Sequence, residues 1–188
     1  LKFIRISIRI LINKNFKITK NFLKKKNINF YFVDDINSNH IQKILKINNI
    51  ETILSIINTK IFKKKYFTKN NIFNLHLGKI PEYKGIVPVI NAILKKEKIF
   101  FSSIFKISFN GIDSGKVILE SYIYKNKTND VFDLYTKLYQ KGFEDLIKLS
   151  KDILFGKEIK TLKDVKANEG GYFKYPHFKD IVKIRNFF

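Results

Sequence analysis

The sequence contains no cysteine, methionine or tryptophan among its 188 residues, and only three histidines. Without cysteine the chain forms neither a disulfide nor a thiolate metal site. His40, His76 and His177 are widely spaced along the chain, so the sequence predicts no metal site. Its 45% hydrophobic content is enough to build one domain with a core of its own.

Long hydrophobic runs are also missing. No apolar run approaches the ~20 residues that a membrane-spanning helix needs. The apolar opening is interrupted by Lys2, Arg5 and Arg9, and it has no small-residue cleavage site of the kind that ends a signal peptide. The sequence therefore predicts no contact with a membrane and a location in the cytoplasm.

Acidic residues are scarce, with 16 Asp and Glu against 37 Lys and Arg, which gives a net charge of +21. That charge would suit a polyanionic partner such as tRNA. The chain is also rich in Ile, Asn and Phe. This composition is typical of an AT-biased genome, in which lysine is common at ordinary surface positions. We favour this second interpretation, which predicts lysines spread over all faces of the protein.

Apolar residues recur with the period of a strand in some segments and with the period of a helix in others. This pattern predicts strands that alternate with helices. Residues 1–27 fit a strand and a helix equally well by periodicity. The remaining pattern predicts strands at 28–33, 50–57, 72–75, 99–109 and 117–124, and helices at 41–47, 62–66, 89–94 and 131–153. Such alternation predicts an α/β fold with a mostly parallel, Rossmann-like sheet.

One polar segment follows directly on the predicted strand 72–75. Asn74 and His76 are two residues apart, so on an extended backbone both side chains point to the same side. In an open α/β sheet, the chemistry lies at the carboxyl ends of the strands. An amide that can stabilise an oxyanion, beside an imidazole that can move a proton, suits acyl-type chemistry.

Two sequence blocks resemble the signature of the folate-dependent formyltransferases. The first runs from Asn74 to Gly85 (NLHLGKIPEYKG) and resembles an Asn-x-His pair followed by a Leu-Pro-x-Tyr-Arg-Gly loop. The second runs from Gly111 to Gly115 (GIDSG) and resembles the family's aspartate turn before an apolar strand. The family includes methionyl-tRNA, glycinamide ribonucleotide and sugar N-formyltransferases, and the resemblance covers roughly residues 28 to 155.

The resemblance implies a three-layer fold of the formyltransferase type, with residues 1–155 as the catalytic domain and 156–188 as an extension packed on it. It also favours a helix for residues 1–27. The family normally opens with a strand and a glycine-bearing loop, and residues 1–27 contain no glycine. We therefore predict a catalytic domain that is N-terminally truncated, in which the strand 72–75 lacks a neighbour or pairs with residues 1–12.

The resemblance further implies formyl transfer from 10-formyltetrahydrofolate to a primary amine. Asn74 would donate to the developing oxyanion, His76 would move the proton, and Asp113 would orient His76, in part through water. Taken singly, Asn74 and Asp113 fit turn positions, and His76 fits a loop histidine whose ring nitrogens have hydrogen-bond partners. Their joint order favours the catalytic interpretation.

Binding residues are implied in the same way. The folate would lie beside Ile57, Ile61 and Phe62 and would bind backbone groups of Gly111 and Ile112. Packing in the ordinary hydrophobic core is an equal alternative for the three apolar side chains. Tyr83, Lys84 and Gly85 would contact the acceptor. Lys84 stands where the family has arginine, and it keeps the charge without the planar fork.

The acceptor and the alternatives remain open at this stage. Initiator methionyl-tRNA suits the charge, whereas a nucleotide-linked amino sugar suits a compact chain. Selected tRNA binding would cluster Lys24–Lys26, Lys63–Lys65 and Lys84 around the mouth that holds His76. A non-catalytic remnant that acts as a basic binding domain is the alternative from another class. For the aromatic, basic tail at 171–180, we favour packing back onto the sheet over stacking of bases.

Overall fold

The computed structural model describes residues 21–29, 31, 33–56, 58–126 and 130–184. The chain divides into two units, residues 1–53 with 60–71, and residues 54–59 with 72–188. The predicted extension 156–188 lies in the same unit as most of the sheet. The boundary at residue 155 stays a prediction.

The first unit is built around a capped helix. Residues 21–25 are helical, and helix α1 follows at Asn39–Ile47, where the Ser38 hydroxyl accepts a hydrogen bond from the Ile41 amide. This is the expected use of serine before a helix. A 3-10 turn at Lys64–Tyr66 replaces the longer helix predicted for 62–66. Residues 28, 29, 31 and 33 are not in a strand, and residues 30 and 32 lie outside the described part.

In the described part of the chain, the main sheet has five strands in the order β1-β2-β4-β5-β6. These are β1 (Thr52–Ile56), β2 (Asn71–His76), β4 (Ile99–Ile107), β5 (Gly115–Tyr124) and β6 (Lys163–Val165). Strands β3 (Lys84–Gly85) and β7 (Tyr172–Phe173) form a small parallel sheet. The helices that follow are α2 (Pro88–Leu94), α3 (Val131–Leu154) and α4 (Phe178–Ile184).

The prediction of a mostly parallel sheet is wrong for the strands that carry the motif. Strand β4 pairs antiparallel with β2 and with β5, and β5 pairs antiparallel with β6. Only residues 108–114 join β4 to β5, and a parallel crossover needs a connection of about a dozen residues or more. The Asp113 turn is therefore the tip of a hairpin.

Strand β2 has neighbours on both sides, β1 and β4. The expectation that it lacks one is wrong, because Thr52–Ile56 takes the position. The expected pairing with residues 1–12 and the opening glycine loop fall on residues outside the described part of the chain.

Alternation along β2 separates two faces of the sheet. Phe73 and Leu75 point toward α3, whose Leu134, Leu138 and Leu146 are buried in the same core. Helix α3 is continuous through Gly142. An added Cβ at this position would lie 2.5 Å from Leu75 Cδ1 of β2. Glycine thus permits the close approach of helix and strand that a larger residue would prevent.

The opposite face of the sheet carries Asn74 and His76. Ile80, from the loop after β2, packs with Phe105, Val117 and Val165 on that face. Helices α2 and α3, together with Ile184 of α4, share the core on the α3 side. No helix among the described residues has the length and apolarity needed to cross a membrane.

Candidate active site

The carboxyl end of β2 brings two polar side chains to one face of the sheet. In the β2–β4 ladder, Asn74 lies opposite Phe105, and His76 lies opposite Ser103. Asn74 and His76 therefore share the face that α3 does not cover. This agrees with the arrangement predicted from their spacing.

His76 is held by a backbone carbonyl. Its ring nitrogen Nε2 lies 2.7 Å from the Tyr83 carbonyl oxygen, and the side chain is only 7% exposed. A carbonyl oxygen can only accept, so Nε2 carries the proton. This leaves Nδ1 without a proton in the neutral ring, so Nδ1 is the nitrogen that can accept one.

Asp113 faces that second nitrogen. Its Oδ2 lies 3.9 Å from His76 Nδ1, which is too long for a direct hydrogen bond and suits a bridging water. The same oxygen accepts a 2.7 Å hydrogen bond from the Gly85 amide. The structure thus brings together two residues that are 37 positions apart, while their catalytic roles stay predictions.

The Asp113 backbone has an unusual conformation, with φ at +46°. Aspartate is one of the few residues that enter this left-handed region readily, because its short side chain bonds locally. Backbone conformations of this kind cluster at functional sites. The sharp turn between β4 and β5 therefore directs this carboxylate toward β2.

The Asn74 side chain is half-buried. Within the described part of the chain, no residue forms a hydrogen bond with its amide group. An amide without a protein partner can donate to an incoming oxygen at little cost. Its position fits the oxyanion donor predicted from the sequence.

Ser103 and Glu120 support the site from β4 and β5, and sequence reasoning missed both. The Ser103 hydroxyl donates to the Gly78 carbonyl at 2.7 Å and lies 3.2 Å from Glu120 Oε1. Lys163 from β6 approaches the same Glu120 oxygen at 3.1 Å. The signal was Ser103 inside an apolar strand, since most buried hydroxyls have a hydrogen-bond partner.

The three residues predicted to contact the acceptor have partners within the protein, and their contact with the acceptor stays a prediction. Tyr83 donates its hydroxyl hydrogen to Glu97 Oε1 at 2.6 Å. Lys84 is 3% exposed, and its ammonium donates to the Ala167 carbonyl at 2.8 Å. Gly85 has φ at +101°, and an added Cβ would collide with the Phe173 carbonyl. Lys84 is therefore not part of an exposed basic mouth.

The residues predicted to line a folate pocket are only partly described. Ile57 lies outside the described residues. Ile61 is 64% exposed, and Phe62 makes an edge-to-face contact with Phe67 in the first unit. Ile112 is 40% exposed directly beside Asp113, so it offers apolar surface where the pocket was predicted. Gly111 packs against Ala167, with no room for a side chain.

Replacing Tyr83 by phenylalanine should cost about 1–2 kcal/mol of unfolding free energy at pH 7, because the hydrogen bond to Glu97 is lost. Burial raises the pKa of the Tyr83 hydroxyl above its ordinary value, and the Glu97 hydrogen bond and charge add to this. The folded state therefore favours the protonated phenol. Its contribution is fully present below pH ~10 and is lost as the pH rises further.

Urea unfolding between neutral and alkaline pH measures this. Wild type should lose stability above pH ~10 more steeply than Tyr83→Phe does. Tyr172→Phe is the matched control, since Tyr172 is 48% exposed. Parallel curves for wild type and Tyr83→Phe would contradict the assignment.

Comparison with known proteins agrees with the fold and the motifs. No family model matches the sequence. Methionyl-tRNA formyltransferase from Caldicellulosiruptor saccharolyticus is 29% identical over 137 residues, which are 71% of this chain and 44% of that protein. The chain thus spans less than half the length of this relative.

Two solved structures share the fold. The formyltransferase PseJ from Anoxybacillus kamchatkensis superimposes with a TM-score of 0.64 at 20% identity, over 95% of this chain and 87% of that one. Phosphoribosylglycinamide formyltransferase from Streptococcus pneumoniae gives a TM-score of 0.65 at 14% identity, over 72% and 80% of the two chains.

These similarities define the class first: the fold is α/β and Rossmann-like, of the formyltransferase type. Together with the sequence similarity to methionyl-tRNA formyltransferase, they support a folate-dependent formyltransferase family for this chain. The family predicted from the two motif blocks is confirmed.

Proposed function

We propose that this chain transfers a formyl group from 10-formyltetrahydrofolate to a primary amine. The observation that carries the proposal is the approach of Asp113 to His76 Nδ1, with Asn74 on the same face. An acid–base pair beside an amide donor is the set of groups that acyl transfer to an amine requires.

Each residue has one part in the proposed mechanism. The Tyr83 carbonyl fixes the proton on Nε2, so Nδ1 takes the proton that the attacking amine loses. It would return that proton to the folate nitrogen, which leaves as its bond to the formyl carbon breaks. Asp113, itself anchored by the Gly85 amide, stabilises the charge that His76 then carries. The Asn74 amide donates to the oxygen on which negative charge develops.

The formyl donor, when bound, supplies an activated formyl carbonyl. Ile112 fits as one apolar wall for the donor, because its side chain is exposed beside Asp113. Backbone groups of residues 111–113 would supply hydrogen bonds to its polar ring. The Gly111 carbonyl already accepts from the Ser114 hydroxyl at 3.0 Å, and its second lone pair can accept another bond.

For the acceptor we propose initiator methionyl-tRNA. The support is the sequence similarity to methionyl-tRNA formyltransferase and the net charge of +21. A nucleotide-linked amino sugar is the second candidate. It is favoured because the match to the PseJ formyltransferase extends over most of both chains. That structure contains tetrahydrofolate and a UDP-linked formamido sugar, and the chain covers 87% of it.

The test is a formyl-transfer assay with 10-formyltetrahydrofolate and either methionyl initiator tRNA or a UDP-linked amino sugar. We expect formylated methionyl-tRNA, detected by mass spectrometry, and no product from the sugar. His76→Asn should abolish the product, whereas His40→Asn, at an exposed position, should leave it unchanged. Product from the sugar alone would move the acceptor to the second candidate.

Absence of product from both acceptors would overturn the enzymatic proposal. Calorimetric titration with tetrahydrofolate then separates two cases. Binding without turnover would indicate a different amine, and absence of binding would support a non-catalytic remnant.

A further inference from the structure

Three aromatic side chains form a row on the face of the sheet that carries His76. Phe101 on β4 lies directly opposite Tyr122 on β5, and Tyr124 is two residues further along β5. The ring centroids of Phe101 and Tyr122 are 5.8 Å apart, and those of Tyr122 and Tyr124 are 5.5 Å apart. Tyr122 is 52% exposed and Tyr124 is 61% exposed. We call Phe101, Tyr122 and Tyr124 the aromatic row.

The position of the aromatic row relative to the candidate active site follows from the strand register. His76 lies opposite Ser103, and Phe101 is two residues before Ser103 on the same strand. Two residues of an extended strand cover about 7 Å. A ligand on the aromatic row would thus approach the end of β2 on the face that carries Asn74 and His76.

A groove of about 640 Å³ adjoins the aromatic row, and Phe101 is part of both. Four lysines line it together with two glutamates: Lys79, Lys95, Lys96, Lys98, Glu82 and Glu97. Both carboxylates already have partners, because Glu82 pairs with Lys79 at 2.7 Å and Glu97 accepts from the Tyr83 hydroxyl. The groove therefore has an excess of positive charge.

Two of the groove's lysines lie over aromatic rings. The Lys79 ammonium is 5.5 Å from the centroid of Phe101, and the Lys95 ammonium is 4.8 Å from that of Phe173. Cation–π contacts of this kind hold the ammonium groups near the rings. Positive charge is thereby fixed beside flat apolar surface.

We propose that the aromatic row and the lysines of this groove bind an unpaired RNA strand. Bases would stack on Tyr122 and Tyr124, and phosphates would lie at Lys95, Lys96 and Lys98. Exposed aromatic rings on a sheet beside a basic groove are the combination by which proteins hold single strands. These lysines differ from the cluster that the sequence suggested, of which Lys84 is buried.

This binding does not require formyl transfer, so the two proposals can fail separately. The probe is a fluorescein-labelled ten-nucleotide oligoadenylate RNA, with affinity measured by fluorescence anisotropy. The double variant Tyr122→Ala/Tyr124→Ala should bind at least fivefold more weakly, the loss expected for one stacked base. Tyr122→Phe/Tyr124→Phe keeps both rings and should bind as wild type does.

Phe132→Ala and Phe155→Ala are the matched controls, since these side chains are 81% and 76% exposed and lie outside the row. Both should leave the affinity unchanged. Lys98→Gln should weaken binding at low salt and reduce the log–log salt slope by about 0.7, the value for one phosphate contact with a single strand. If the alanine variants do not fold, the salt slope of Lys98→Gln tests the proposal by itself.

Unchanged affinity in the folded tyrosine variants, or an unchanged salt slope in Lys98→Gln, would overturn the proposal. Analytical ultracentrifugation distinguishes the main alternative. If the tyrosine variants lose self-association while their RNA affinity stays at the wild-type value, the aromatic row is an interface between copies of this chain.

Discussion

Replacing Asp113 by asparagine is expected to lower kcat for formyl transfer by about 10²- to 10⁴-fold, the range for losing acid–base assistance. Asparagine keeps the shape and can still accept from the Gly85 amide. It lacks the charge that would stabilise His76 as it takes up a proton at Nδ1. The effect should therefore appear in kcat and leave the unfolding free energy within about 1 kcal/mol of wild type.

Asp164→Asn is the matched control, because Asp164 is an exposed aspartate on β6. It should retain wild-type kcat. Equal rates for Asp113→Asn and Asp164→Asn would remove Asp113 from the mechanism. A loss of activity accompanied by a large drop in unfolding free energy would instead assign Asp113 to the hairpin turn alone.

Phe105→Ala is expected to cost about 3–5 kcal/mol of unfolding free energy. Phe105 is almost fully buried, and it packs with Ile80, Val117 and Val165 beneath the loop that follows β2. Removing its ring would leave a cavity under that loop. Since the loop provides the Tyr83 carbonyl that holds His76, activity should fall as well.

Phe132→Ala provides the comparison, since this ring lies on the exposed side of α3. Its unfolding free energy in urea should stay within about 0.5 kcal/mol of wild type. Losses of similar size in the two variants would mean that Phe105 does not carry the packing under the loop. Phe105→Leu, which fills most of the volume, should fall between the two.

Some features of the site could be read from local sequence because they depend on neighbours along the chain. The two-residue spacing of Asn74 and His76 on a strand places them on one face without further information. The serine before α1, the aspartate cap before α3 and the turn at 111–115 are encoded in the same local way. The period of the apolar residues gave most of the helices and strands of the second unit.

Other features required contacts between distant residues. Lys84 looked like a charge for the acceptor, yet its ammonium bonds to Ala167, 83 residues away. Gly142 lies in the middle of α3, where Leu75 of β2 packs against it. The direction of the strands depended on which strands became neighbours, and no periodicity encodes that choice.

The sequence by itself determined which groups could do the chemistry and on which side of their strand they lie. Only the tertiary structure decided their partners. It set the Tyr83 carbonyl on Nε2 of His76, Asp113 opposite Nδ1, and the aromatic row on the same face. The physical reason is that local periodicity fixes the direction of a side chain, whereas packing of distant segments fixes what that side chain meets.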